Sequence, residues 1–235
     1  MNYSVVICSY NKLEYLKLVT SALQAIGGDH QYILADDCSN DGTVEWANSI
    51  NFFDKVYSEP EDNGYCLCTI RNRGIERADF DHVVLLDADC MPEETYFNGH
   101  NSVFADNKEA LSAGFTHFYD SVGKKIINPD HRRKWVPHGK SCVPMGWMST
   151  YGGNMAFTKS VWKTVGGFDE RYNGAWGLED ADFAYSCHKK GFGIFAHVES
   201  VVRHLKHPVS GTKEMRFGRG PNTKKFKDKH GFSPC

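Results

Sequence analysis

Three runs constrain the fold most: Val5–Cys8 (VVIC), Tyr32–Ala35 (YILA) and Val83–Leu86 (VVLL) are apolar over four residues with no alternation. A strand that is apolar on both faces has to be covered on both, as in parallel sheets sandwiched between helices. The intervening segments supply those helices. Leu13, Leu16, Val19, Ala22, Leu23 and Ile26 form one helical stripe, which Gly27 and Gly28 stop. A short helix over TVEWANSI follows the SNDG turn, KVYSEP reads as a weaker strand, and CLCTIRNRGIERA is a helix leading into VVLLDAD. The expected class is α/β, a Rossmann-like and mostly parallel central sheet flanked by helices. Such sheets bind ligands beyond the C-terminal ends of their strands. Asp36, Asp37, Asp87 and Asp89 fall at such ends.

Asp87 and Asp89, separated by Ala88, turn to the same face of an extended chain and repel each other. Two hard oxygen ligands in that position suit Mg2+ or Mn2+; a solvated loop is the plain alternative. At the end of the second strand, Asp36 or Asp37 can accept the imide N–H of a uracil, while Asn40 or Asp41 caps the next helix. Ser9, Tyr10 and Asn11 join the first strand to the first helix, whose N-terminus and backbone N–H groups can meet a nucleotide. Asn11 also fits as a simple cap. Arg71 and Arg73 either reach a donor pocket or remain on the surface. Trp176 and Gly177 precede Glu179 and Asp180, which open a helix. Acids in a first turn are favoured by the helix dipole, yet a tryptophan face and a carboxylate are also what a sugar ring and its hydroxyl require. His204, in the strand VVRHLKHP, is a candidate third metal ligand or a surface residue.

Beyond about residue 110 the alternation gives way to mixed strands and long loops. We expect one domain over 1–208, with a nucleotide-binding half (1–110) and a smaller, mixed acceptor-side half (111–208). A basic tail or lid follows over 209–235. The net charge of −2 over 235 residues favours no partner by itself, but HRRKWVPHGK at 131–140 and the segment 203–229 are strongly basic. The eight cysteines form no metal or disulfide spacing and fit reduced thiols. The first strand starts almost at Met1, and no stretch approaches the roughly 20 apolar residues of a membrane span. The expected setting is cytoplasmic, bacterial or bacteriophage-encoded.

Taken in order, SYN, DDCSNDGT, RNRGI, LLDADC and GGNMAF…GGFDERYNGAWGLEDADF resemble the GT-A-fold glycosyltransferases, especially glycosyltransferase family 2 with a galactosyltransferase-type C-terminal segment. The resemblance implies a UDP-sugar donor (UDP-glucose, UDP-galactose or an N-acetylated hexose) and Mn2+ or Mg2+. It implies Asp37 or Asp36 at the uracil, Tyr10 lining the base and Arg71 near the base or diphosphate. Asp87 would lie by the ribose and metal, Asp89 and His204 would bind the metal, and Asn154 would line the donor-sugar pocket. Asp180 would be the base of an inverting transfer, Glu179 would hold hydroxyls and Trp176 would be the acceptor platform. The acceptor is expected to be a saccharide or lipid-linked glycan, or hydroxymethylated bases in phage DNA. Two other readings are a non-catalytic nucleotide-sugar or carbohydrate-binding protein and a nucleotidyltransferase; SYNKLEY is not the Gly-rich basic loop of the latter.

Overall fold

The structure is a computed structural model that describes residues 1–207 and 220–234. Strands β1 (Ser4–Ser9), β2 (Gln31–Asp36), β3 (Lys55–Ser58) and β4 (His82–Asp87) lie parallel in the order β3-β2-β1-β4. Helices α1 (Leu13–Ile26), α2 (Thr43–Ser49) and α3 (Leu67–Glu76) make the connections. The apolar runs behave as their composition requires. Val5 and Ile7 pack with Leu16, Val19 and Leu23 on one side of the sheet. Val6 and Cys8 pack with Ile70, Ile75 and Phe183 on the other. Each fully buried aliphatic chain contributes roughly 1.5–3 kcal/mol.

The remaining elements are β5 (Cys90–Pro92), α4 (Tyr96–Asp106), β6 (Ala110–Ala113), β7 (Phe115–Tyr119), β8 (Ile126–Asn128), β9 (Cys142–Pro144), β10 (Asn154–Thr158), α5 (Lys159–Val165), α6 (Glu179–Lys189), β11 (Gly193–His197), β12 (Val201–Leu205) and α7 (Pro221–His230). Strands β10, β6, β11 and β9 extend the main sheet beyond β4, with β10 antiparallel to both its neighbours. The boundary expected near residue 110 is therefore no break in the sheet. A second sheet has the order β5-β12-β7-β8.

Three elements depart from the sequence reading. Helix α4 went unread because its buried face includes Gly99 and His100 beside Phe97 and Val103. The run NMAFTKSVW is a strand that turns into α5 at Thr158, whose hydroxyl accepts from the Val161 N–H. The expected tail lies partly outside the described residues, but Pro221–His230 is a packed helix. Phe226 is fully buried against Trp147, and the Asp182 carboxylate meets Lys229 Nζ and His230 Nε2, both at 2.7 Å. A single aromatic anchor with one acidic partner leaves no periodic stripe to recognise. Among the described residues, all cysteines are free, and no helix is long and apolar enough to cross a membrane.

Candidate active site

Parallel register sets the site. Ser9 lies opposite Asp36 and Cys8 opposite Asp87, so the ends of β1, β2 and β4 share one edge. After Asp87 the chain leaves the main sheet for β5, which pairs with β12 so that His204 faces Cys90. The Leu205 N–H donates to the Asp89 carbonyl at 2.8 Å. That exchange between sheets brings His204 Nε2 to 3.8 Å from Asp89 Oδ1 and His207 Nε2 to 2.9 Å from Asp89 Oδ2. Lys12 Nζ adds a third contact at 3.3 Å. These groups hold the Asp89 carboxyl well below the usual carboxylate range despite its burial.

Asp87 has the opposite environment. Burial pushes it up to about 7 against the pull of Arg71, whose Nη2 is 3.8 Å away, and the charge of Asp89 raises it further. Two acids one residue apart thus differ because one sits among cations and the other in a low-dielectric wall.

Arg71, on α3, is fully buried. Its Nη1 lies 2.5 Å from Asp180 Oδ1 and 3.7 Å from Glu179 Oε1. The guanidinium serves these carboxylates of β4 and α6. Burial pushes Glu179 up to about 8, and the charge of Asp180 adds to this. That shift favours the neutral form of the Glu179 carboxyl. Two glycines permit this crowding. A Cβ on Gly152 would overlap Arg71 and Asp180, and one on Gly153 would overlap Asp87. Helix α6 opens on Leu178 in the left-handed conformation (φ 71°), and the preceding Gly177 carbonyl accepts from Asn222 Nδ2 of α7.

Two cavities meet here, of about 850 and about 750 Å3. They share Tyr65, Asp87, Phe118, Trp176 and His204 as a common wall. The larger is lined by Ser9, Tyr10, Lys12, Asp37, Ala88 and Asp89. The smaller is lined by Arg71, Tyr151, Gly177, Glu179, Asp180 and Asn222. Asp37 accepts from the Cys66 N–H at 2.9 Å, and burial pushes it up to about 6. Tyr10 is 44 % exposed and donates to Asp62; Trp176 is half exposed.

Three expected site residues make their contacts within the protein. Asp36 is fully buried and accepts from Ser39 N, Ser39 Oγ and Ser58 Oγ, leaving no face for a base. Asn11, in a left-handed conformation (φ 52°), accepts from the Asn40 N–H and braces that turn. Asn154 is fully buried, and its Nδ2 donates to the carbonyls of Phe115 and Ser200. It ties β10 to the second sheet and lines neither cavity. Sequence reasoning passed over Lys12, Tyr65, Tyr151, Gly152, Gly153 and His207. The doubled glycine beside Tyr151 was the available signal.

Residues 4–166 match the family described as glycosyl transferase family 2. The chain belongs to glycosyltransferase family 2. Residues 139–208 also match the N-terminal domain of galactosyltransferase. As a family 2 chain it is 25 % identical over 253 aligned residues to a chondroitin synthase of Escherichia coli, covering 93 % of this chain and 37 % of that protein. It is 22 % identical to a hyaluronan synthase of Pasteurella multocida, covering 93 % of this chain and 26 % of that one. The chain thus spans little more than a third, or less, of these relatives. Its GT-A fold is shared with S. aureus TarS 1-349 in complex with UDP-GlcNAc (TM-score 0.67, 14 % identity, covering 89 % of this chain and 60 % of that one). It is shared also with GalNAc-T7 with UDP, GalNAc and Mn2+ (TM-score 0.71, 17 % identity, 96 % and 47 %).

Proposed function

We propose that this family 2 chain moves a glycosyl group from a UDP-sugar to the hydroxyl of a glycan acceptor, with the donor in the larger cavity and the acceptor in the smaller. The observation that carries this reading is the shared wall. Asp87, Trp176 and His204 border both cavities, with Asp89 on one side and Asp180 on the other. The donor assignment is supported by the UDP-sugar and UDP complexes of the two structural neighbours. The glycan acceptor is supported by the chondroitin and hyaluronan synthases among the relatives.

Asp89, Cys90 and His204 bring ligand atoms within 4.8 Å of one another. Burial pushes the Cys90 thiol well up, so it stays protonated, leaving a carboxylate and an imidazole. That pair fits a divalent ion such as Mn2+, which would supply positive charge to the departing diphosphate. Asp37 accepts the uracil imide N–H and Tyr10 lies beside the base. Trp176 offers its half-exposed face to the acceptor ring. Asp180, fixed by Arg71, takes the acceptor hydroxyl proton as that oxygen attacks the anomeric carbon with inversion. Glu179, held toward its neutral form by burial, is the less ready base.

A UDP-release screen across UDP-sugars, with Mn2+ and neutral or acidic oligosaccharide acceptors, tests the reading. Acceptor-stimulated release above the no-protein rate is expected for at least one pair. Release at background with every pair contradicts it.

A further inference from the structure

Two groups of large apolar side chains line the smaller cavity. Tyr65, Phe118 and Trp176 border the larger cavity as well. Tyr151 and Met148 line the smaller cavity but not the larger, and they are 39 % and 42 % exposed. A sugar about to react with the donor has to stand at the common wall. Tyr151 and Met148 are set back from that wall, so they serve a different part of the acceptor.

Tyr151 is firmly held for so exposed a ring. The guanidinium carbon of Arg132 lies 4.3 Å from the ring centre. Arg132 is itself fully buried and donates to the Asp130 carboxylate and to the carbonyls of Ser149 and Gly114. The arginine covers one face of the ring, which leaves the exposure to the other face and the edge. Ser149 ends the turn Trp147–Ser149 that carries Met148, so the same arginine fixes both side chains. The Tyr151 carbonyl accepts from the Asn154 N–H at 3.1 Å, closing the turn over Gly152 and Gly153. Gly152 lies against Asp180 and Gly153 against Asp87. The Tyr151 ring is therefore one residue along the chain from the glycine that touches the proposed base.

We propose that Tyr151, with Met148 in the same wall, is the binding face for the second sugar ring of the acceptor, the ring next to the one that reacts. This rests on the reading of the smaller cavity as the acceptor site. A pyranose has an apolar C–H face and a hydroxylated rim. Tyr151 answers both, with an apolar ring and a phenolic edge. His131, exposed in the same cavity wall, adds a hydrogen-bonding side chain for the rim. An alkyl chain would use the ring alone. The enzyme is thereby built to extend an existing oligosaccharide in preference to a single sugar.

The test measures binding and KM on the full chain with three kinds of probe: methyl β-glycosides of glucose, galactose and N-acetylglucosamine, the methyl glycosides of cellobiose, lactose and chitobiose, and the octyl glycosides of the same three single sugars. In at least one series the disaccharide is expected to bind roughly three- to tenfold more tightly than its single sugar, the gain from burying one ring face. Tyr151→Ala should bring that ratio to about one, and Tyr151→Phe, which keeps the stacking face, should retain it. Calorimetric titration of UDP shows that each variant is folded. Three results overturn the proposal while leaving the acceptor site in place: transfer with no disaccharide advantage in the parent, an advantage that survives Tyr151→Ala, or an octyl glycoside that gains as much as the disaccharide. Loss of affinity for single sugar and disaccharide by the same factor in Tyr151→Ala assigns the ring a merely structural role and also overturns it. Absence of both binding and UDP release with every probe overturns the reading of the smaller cavity and this proposal with it.

Discussion

Arg71 Nη1 lies 2.5 Å from Asp180 Oδ1, joining the middle of α3 to the first turn of α6 inside the protein. One buried guanidinium thereby sets the position of the proposed base and offsets Asp87 and Glu179 as well. Replacing it with methionine leaves these carboxylates without their cation and is expected to cost about 3–5 kcal/mol of stability. Arg71→Lys keeps the charge but not the planar fork, so turnover should fall while donor affinity stays near the parent value. Denaturant unfolding of the first variant and donor titration with turnover of the second check this pair.

The same burial gives stability a definite pH dependence. Glu179 and Asp87 have folded values raised to about 8 and about 7, so the folded chain holds more protons than the unfolded one from about pH 4 up to those values. Stability should therefore fall as pH rises through this window and level off above it. Glu179→Gln removes one of the two groups and should flatten the curve, leaving the variant more stable than the parent at pH 8. Thermal melts across pH 5 to 8.5 measure the effect, and parallel curves for the two proteins would refute it.

Much of this was legible in the sequence. The four-residue apolar runs could pack only as doubly covered strands, and parallel register then carried Asp37, Asp87 and Asp89 to one edge. Which acid did what was not legible, because adjacent residues fall in different surroundings. Asp36 is closed off by Ser39 and Ser58 while Asp37 lines a cavity. Asp89 is ringed by Lys12, His204 and His207, which come from distant points in the chain. Arg71 was visible as a residue but not as a partner of Asp180, since no local pattern reports a contact across 109 positions. Helix α7 was missed because it depends on one buried phenylalanine and Asp182.

Asp37 should make donor binding pH-dependent. Its carboxyl is pushed up to about 6 by burial, and the ionised form is the stronger acceptor of an imide N–H. UDP affinity should be flat above pH 7 and fall as pH drops through about 6. Asp37→Asn should lose the pH dependence together with most of the affinity. Calorimetric titration of UDP at several pH values decides this.

Helix α7 should be integral to the fold. Phe226→Ala empties a fully buried aromatic site beside Trp147 and is expected to cost about 3–5 kcal/mol. Because Asn222 holds the Gly177 carbonyl, the same change should weaken acceptor binding more than donor binding. Comparing the two KM values at a temperature where the variant remains folded provides the check.

The most direct measurement is donor calorimetry with and without Mn2+, paired with turnover, on Asp89→Ala and Asp180→Asn. Asp89→Ala should lose the metal-dependent part of UDP-sugar binding. Asp180→Asn should bind donor as the parent does while its turnover falls by about two to four orders of magnitude. Parent-level turnover in Asp180→Asn, or undiminished metal-dependent binding in Asp89→Ala, would contradict the division of labour between the two cavities.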